Sequence, residues 1–135
     1  MHIDLKPENT LFVRGRLSGV VDFDNPYTGP LILDLANTLM WFCSSKGVFD
    51  VARARTICRA FVSKRIPTPA EKAALFDAYH YAVLSHVLMD IYLEYSKDYP
   101  SIRIPESYML WGVDNLLSAE QRFPLTREEC NTPLD

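Results

Sequence analysis

The chain has 135 residues, 48 % of them apolar, a net charge of −3 and a pI near 5.6. That is enough material for one domain with a real core, and the charge gives no electrostatic basis for binding nucleic acid or an anionic membrane. Three cysteines, Cys43, Cys58 and Cys130, form no C-x-x-C pair, which points to a reducing compartment and away from a disulfide framework or a zinc site.

The opening, His2-Ile3-Asp4-Leu5-Lys6-Pro7-Glu8-Asn9, has the spacing H-x-D-x-x-x-x-N and no signal-peptide pattern. Two apolar runs follow, Thr10 to Val13 and Leu17 to Val21, separated by Arg14-Gly15-Arg16. Gly15 accepts positive φ, so the pattern predicts a tight antiparallel hairpin. A hairpin brings its ends together, which carries Asp22 back to Asn9. Phosphoryl transfer requires a placed hydroxyl, Mg²⁺ on the phosphates, and acceptors to hold both. Asp4 suits acceptance of a hydroxyl proton, and Asn9 and Asp22 are hard oxygen ligands suited to Mg²⁺. The plainer alternative is a polar loop, an ordinary hairpin and an Asp that caps a turn.

Residues 25–30 are dense in breakers and read as loop. Helical patterning starts near Leu31 or Leu33 and runs to about Cys43, where Ser44-Ser45-Lys46-Gly47 ends it. Its most apolar run, Leu35 to Cys43, is about half of a membrane span, and the chain reads as a soluble, cytoplasmic protein. A second helix is expected over Val51 to Lys64, with Asp50 as N-cap and Val51, Ala54, Ile57/Cys58 and Phe61 on one face. Thr68-Pro69-Ala70-Glu71 has the form of a capping box with Pro at the first helical position. The helix it starts continues to about Tyr95, roughly 40 Å at 1.5 Å per residue. Pro100 to Pro105 breaks it, a last helix is expected from about Glu106 to Gln121, and residues 126–135 read as a frayed tail.

His80 and His86 lie six apart, about 600° around a helix, so they share no face for a metal and read as core or boundary histidines. Tyr79, Tyr81, Tyr92, Tyr95, Tyr99 and Tyr108 make the later part aromatic-rich. Core packing accounts for such residues more simply than a cation–π pocket for an amine does.

Three strings together resemble the C-terminal lobe of the aminoglycoside phosphotransferase and choline kinase superfamily, which is related to protein kinases. They are His2-Ile3-Asp4-Leu5 with Asn9-Thr10-Leu11-Phe12, Gly19-Val20-Val21-Asp22-Phe23, and Gly29-Pro30 with Asp34-Leu35-Ala36. The type II homoserine kinase branch is the most similar, through Asp34 to Cys43 and through Arg65-Ile66-Pro67-Thr68-Pro69-Ala70-Glu71. The resemblance implies an α+β, mostly helical fold: a short β-hairpin followed by about four helices in a kinase-like C-lobe over residues 1–125, with 1–24 as catalytic loop, hairpin and metal loop and 31–122 as the helical part. The N-lobe is expected to be missing.

The resemblance also implies an ATP-dependent phosphotransferase acting on an alcohol. Asp4 is its catalytic base or hydroxyl-orienting carboxylate, and Asn9 and Asp22 hold Mg²⁺ against the ATP phosphates. His2 braces the loop. Asp34 either accepts hydrogen bonds from the loop backbone or simply caps a helix. Lys6 either neutralises charge on the transferred group or is a surface lysine. Ile3 departs from the glycine usual in the family, and Asp24 has at most an accessory place. Without the nucleotide-binding half the chain is expected to be inactive alone, to need that half as partner, or to self-associate. The alternative is a truncated pseudokinase serving as a binding module.

Overall fold

The computed structural model of the chain describes residues 1–24, 26–104, 112–114 and 117–118. A single 3-10 turn, Pro7–Asn9, leads from the opening loop into the first hairpin. Strand β1 (Thr10–Val13) pairs antiparallel with β2 (Arg16–Val20). The turn is shorter than the sequence suggests: Arg14 (φ 51°) and Gly15 (φ 75°) alone make it, and Arg16 is already in the strand. Two consecutive residues at positive φ match the right-handed twist of a hairpin. The register slips by one between Leu11 and Phe12, leaving Ser18 as the extra residue of a bulge.

Helix α1 (Ile32–Cys43) and helix α3 (Pro69–Tyr95) form the main packed pair, and α2 (Val51–Lys64) lies on α1. The core is built at helical spacing: Leu35, Ala36, Leu39, Met40 and Cys43 on α1 meet Leu75, Ala78, Tyr79, Ala82 and Val83 on α3, with Ala54 and Cys58 from α2. Each fully buried large side chain there contributes roughly 1.5–3 kcal/mol. Phe49 and Tyr79 meet edge to face at 5.4 Å inside it. Asp50 caps α2 through the Arg53 amide at 3.0 Å. At α3 the Thr68 hydroxyl accepts from the Glu71 amide while the Glu71 carboxylate accepts from the Thr68 amide, the reciprocal box the sequence signals.

Two departures from the sequence reading matter. The segment after α1 is not a plain helix stop: Ser44–Ser45 (β3) and Val48–Phe49 (β4) form a second hairpin about Lys46 (φ 49°) and Gly47 (φ 78°). A Cβ on Gly47 would lie 2.7 Å from Asp114 Cβ, so glycine serves both the turn and the close approach. The tyrosines, moreover, do not pack as one core. Tyr79 is fully buried, whereas Tyr81, about 200° further round α3, and Tyr92, Tyr95 and Tyr99, at and beyond its end, are exposed. Tyr108 and most of the expected last helix lie outside the described residues, although 112–114 and 117–118 are helical. Among the described residues no helix is long and apolar enough to cross a membrane.

Candidate active site

The opening loop is held by a side chain from α1 and by one of its own that reaches to the end of β2. Asp34, in the first turn of α1, accepts from the backbone amides of His2 (3.2 Å) and Ile3 (2.7 Å). Ile3 adopts φ 61°, a region costly for a β-branched residue, and the bond to Asp34 fixes it there. His2 clamps the other side. Its Nε2 bonds the Val21 carbonyl at 2.8 Å, and a carbonyl can only accept, so Nε2 carries the proton. Nδ1 is then the acceptor for the Asp4 amide, at 3.4 Å. The imidazole also stacks on Phe23, with centroids 4.5 Å apart. His2 thereby ties the loop to the end of β2, next to Asp22.

Asp4 and Asn9 face each other. Asn9, almost fully buried, donates Nδ2 to the Asp4 carbonyl (2.8 Å) and to Asp4 Oδ2 (3.2 Å). With its nitrogen committed there, Oδ1 is the carboxamide's acceptor, directed away from Asp4. The Asn9 carbonyl accepts from the Val21 amide at 3.0 Å, so the hairpin brings Asp22 to within one residue of an Asn9 contact. Asp22 is exposed and sits at φ 68°, turning the chain sharply after β2. Hard oxygen donors thus stand at both ends of one hairpin.

Lys6 completes the loop. Its Nζ lies 2.6 Å from Asp4 Oδ2 and 5.6 Å from the centroid of the Trp41 ring on α1. The ammonium is therefore shared between a carboxylate and an aromatic face. No group of three His, Cys, Asp or Glu side chains converges on a metal-sized site among the described residues. The donor set suits Mg²⁺, which takes one or two protein ligands and completes its shell with water and phosphate oxygens. Asn9 Oδ1 and the Asp22 carboxylate are oxygen donors of the kind such an ion takes.

Sequence reasoning missed a second feature beside Trp41. There a cavity of about 430 Å³ opens between the end of α1, the second hairpin and the middle of α3. Trp41, Ser44, Lys46, His86 and Asp90 are its polar lining. The i, i+4 spacing of His86 and Asp90 was the available signal, but it gains meaning only once α1 packs on α3.

The profile of the phosphotransferase enzyme family (APH) matches residues 1–83. The homoserine kinase of Gluconacetobacter diazotrophicus is 40% identical over 76 residues, 56% of this chain and 24% of that protein. That of Pseudomonas aeruginosa PAO1 is 40% identical over 72 residues, 53% and 23% of the two chains. That of Gluconobacter oxydans is 34% identical over 93 residues, 68% and 29%. The matched segment thus spans about a quarter of the length of these curated relatives. No solved structure matches the chain at a significant level.

Proposed function

This chain belongs to the phosphotransferase enzyme family, and we propose that its opening loop serves transfer of the ATP γ-phosphoryl group to an alcohol of the homoserine type. The observation that carries this is the Asp4–Asn9 pair at the mouth of a hairpin that returns Asp22. Asp4 orients the acceptor hydroxyl and receives its proton as the oxygen–phosphorus bond forms and the β–γ bridging bond breaks, releasing ADP. Asn9 Oδ1 and Asp22 would hold Mg²⁺. When bound, the ion neutralises charge on the phosphate oxygens. Lys6, already on Asp4, supplies a cation beside the transferred group. Asp34 and His2 fix the loop backbone, so the reacting geometry costs little to assemble.

On this reading the 135 residues contribute the acceptor and metal side of the site, and the nucleotide-covering residues come from polypeptide outside them. The first hairpin supports a partner at that place. Phe12 and Val13 are 60% exposed and Leu17 58%, an apolar group that invites cover. The test is an assembly in which this chain replaces the matched segment of the G. diazotrophicus homoserine kinase. Mg²⁺-dependent phosphorylation of homoserine by the assembly, and none by the isolated chain, is the expected result. A folded assembly without activity would contradict the proposal, and turnover by the isolated chain would contradict the division of the site.

A further inference from the structure

The cavity beyond Trp41 is bipolar. On its α1 and second-hairpin side stand three donors: Trp41 Nε1–H, the Ser44 hydroxyl and the Lys46 ammonium. Trp41 Nε1 and Ser44 Oγ are buried and have no hydrogen-bond partner among the described residues. Buried donors left in this state are costly, and a ligand acceptor would satisfy them. On the α3 side stand two acceptors, one turn apart. Asp90 contributes a carboxylate. His86 bonds the Ala82 carbonyl through Nδ1 at 2.8 Å, so Nδ1 carries a proton and, in the neutral tautomer, Nε2 is the acceptor. The His86 ring also stands edge-on to Trp41, with centroids 5.2 Å apart and planes at 89°, which fixes the two sides relative to each other.

We propose that this cavity binds a zwitterionic amino alcohol, its carboxylate held by Trp41, Ser44 and Lys46 and its ammonium by Asp90 and His86. This rests on the phosphotransferase reading for its purpose: Trp41, which lines the cavity, also lies 5.6 Å from Lys6 Nζ, the partner of Asp4. The recognition itself stands on the pairing of charges. An amine without a carboxylate leaves the three donors unpaired, and an acid without an amine leaves Asp90 and His86 unpaired. Burial pushes the Asp90 carboxyl above the usual carboxylate range, as fits a carboxylate that lacks a full cation partner.

The test uses the full 135-residue chain without ATP, with calorimetry and indole fluorescence as readouts. L-Homoserine is compared with 3-amino-1-propanol, which keeps the amine and hydroxyl, and with 4-hydroxybutyrate, which keeps the acid and hydroxyl. The expected result is that each single-charge probe binds about tenfold or more weakly than homoserine. Asp90→Asn should erase the preference over the acid, and Lys46→Ala the preference over the amine. Circular dichroism checks that both variants fold, and both positions are away from the fully buried core. Equal binding of the three probes, unchanged binding in both variants, or no homoserine binding at tens of millimolar would overturn the proposal. Because no phosphoryl transfer is measured, failure of catalysis leaves this result standing, and failure here leaves the catalytic test intact.

Discussion

Asn9 donates one amide nitrogen to both the carbonyl and the carboxylate of Asp4, at 2.8 and 3.2 Å. That single side chain closes the loop on itself and leaves an oxygen for a cation. Closure depends in turn on Asp34, which holds the loop backbone from α1, and on His2, which ties the loop to Val21.

Asp34→Ala should release both amides. Hydrogen bonds to a charged acceptor contribute roughly 1.5–3 kcal/mol each, less where water can enter. The expected loss is about 2 kcal/mol in urea unfolding, with Asp34→Asn losing about half of that because one acceptor remains. Unchanged stability in Asp34→Ala would remove it as the loop's anchor.

Ile3→Gly should be close to neutral. Relief of left-handed strain, about 1–2 kcal/mol, is offset by the conformational freedom glycine adds to the unfolded chain, about 0.5–1 kcal/mol, and by lost side-chain contact. The same change at Ile32, buried at the start of α1, should cost about 3 kcal/mol or more. Thermal unfolding of the two variants checks the contrast.

The start of α3 should be sensitive to acid. Arg65, bonded to both Glu71 oxygens at 2.8 and 3.1 Å, together with the Thr68 amide, holds the Glu71 carboxyl below its usual range. A carboxylate with a lowered folded-state pKa contributes stability that is complete above the unfolded value and lost as pH falls through the folded one. Glu71→Gln should therefore flatten the acid limb of the stability profile below the ordinary carboxylate range. Thr68→Ala should cost about 1 kcal/mol at neutral pH.

Cys43 lies fully buried at the end of α1, and burial pushes its thiol up to about 12. The thiolate is the reactive form, so Cys43 should resist thiol reagents at pH 8 in the native chain and react after unfolding in urea. Mass spectrometry of the labelled peptides distinguishes the two states. Rapid native labelling of Cys43 would contradict its packing in the core.

Much of this fold was legible because its signals are local. Thr68, Pro69 and Glu71 specify a helix start within four residues, and Asp50 does so for α2. The first hairpin needed only two apolar runs about Gly15. The second hairpin was not legible: its strands have two residues each, too short for alternation to register, and Lys46 gives no hint that it takes positive φ. Exposure of Tyr92 and Tyr95 depends on what the end of α3 packs against, which no local pattern encodes. At the site, the nearness of Asp22 to Asn9 follows from hairpin geometry. The Lys6–Asp4 pair and the placement of Trp41 between loop and cavity arise from tertiary packing alone.

The most direct test of the account is steady-state kinetics of Asp4→Asn beside Asp22→Ala in the assembled phosphotransferase. Loss of the hydroxyl-orienting carboxylate should lower kcat by about 100-fold or more, with the KM for ATP within about threefold of the parent. Asp22→Ala should also raise the KM for Mg²⁺–ATP. Parental turnover in Asp4→Asn would contradict the assignment of Asp4, and with it the reading of the loop as a phosphoryl-transfer site.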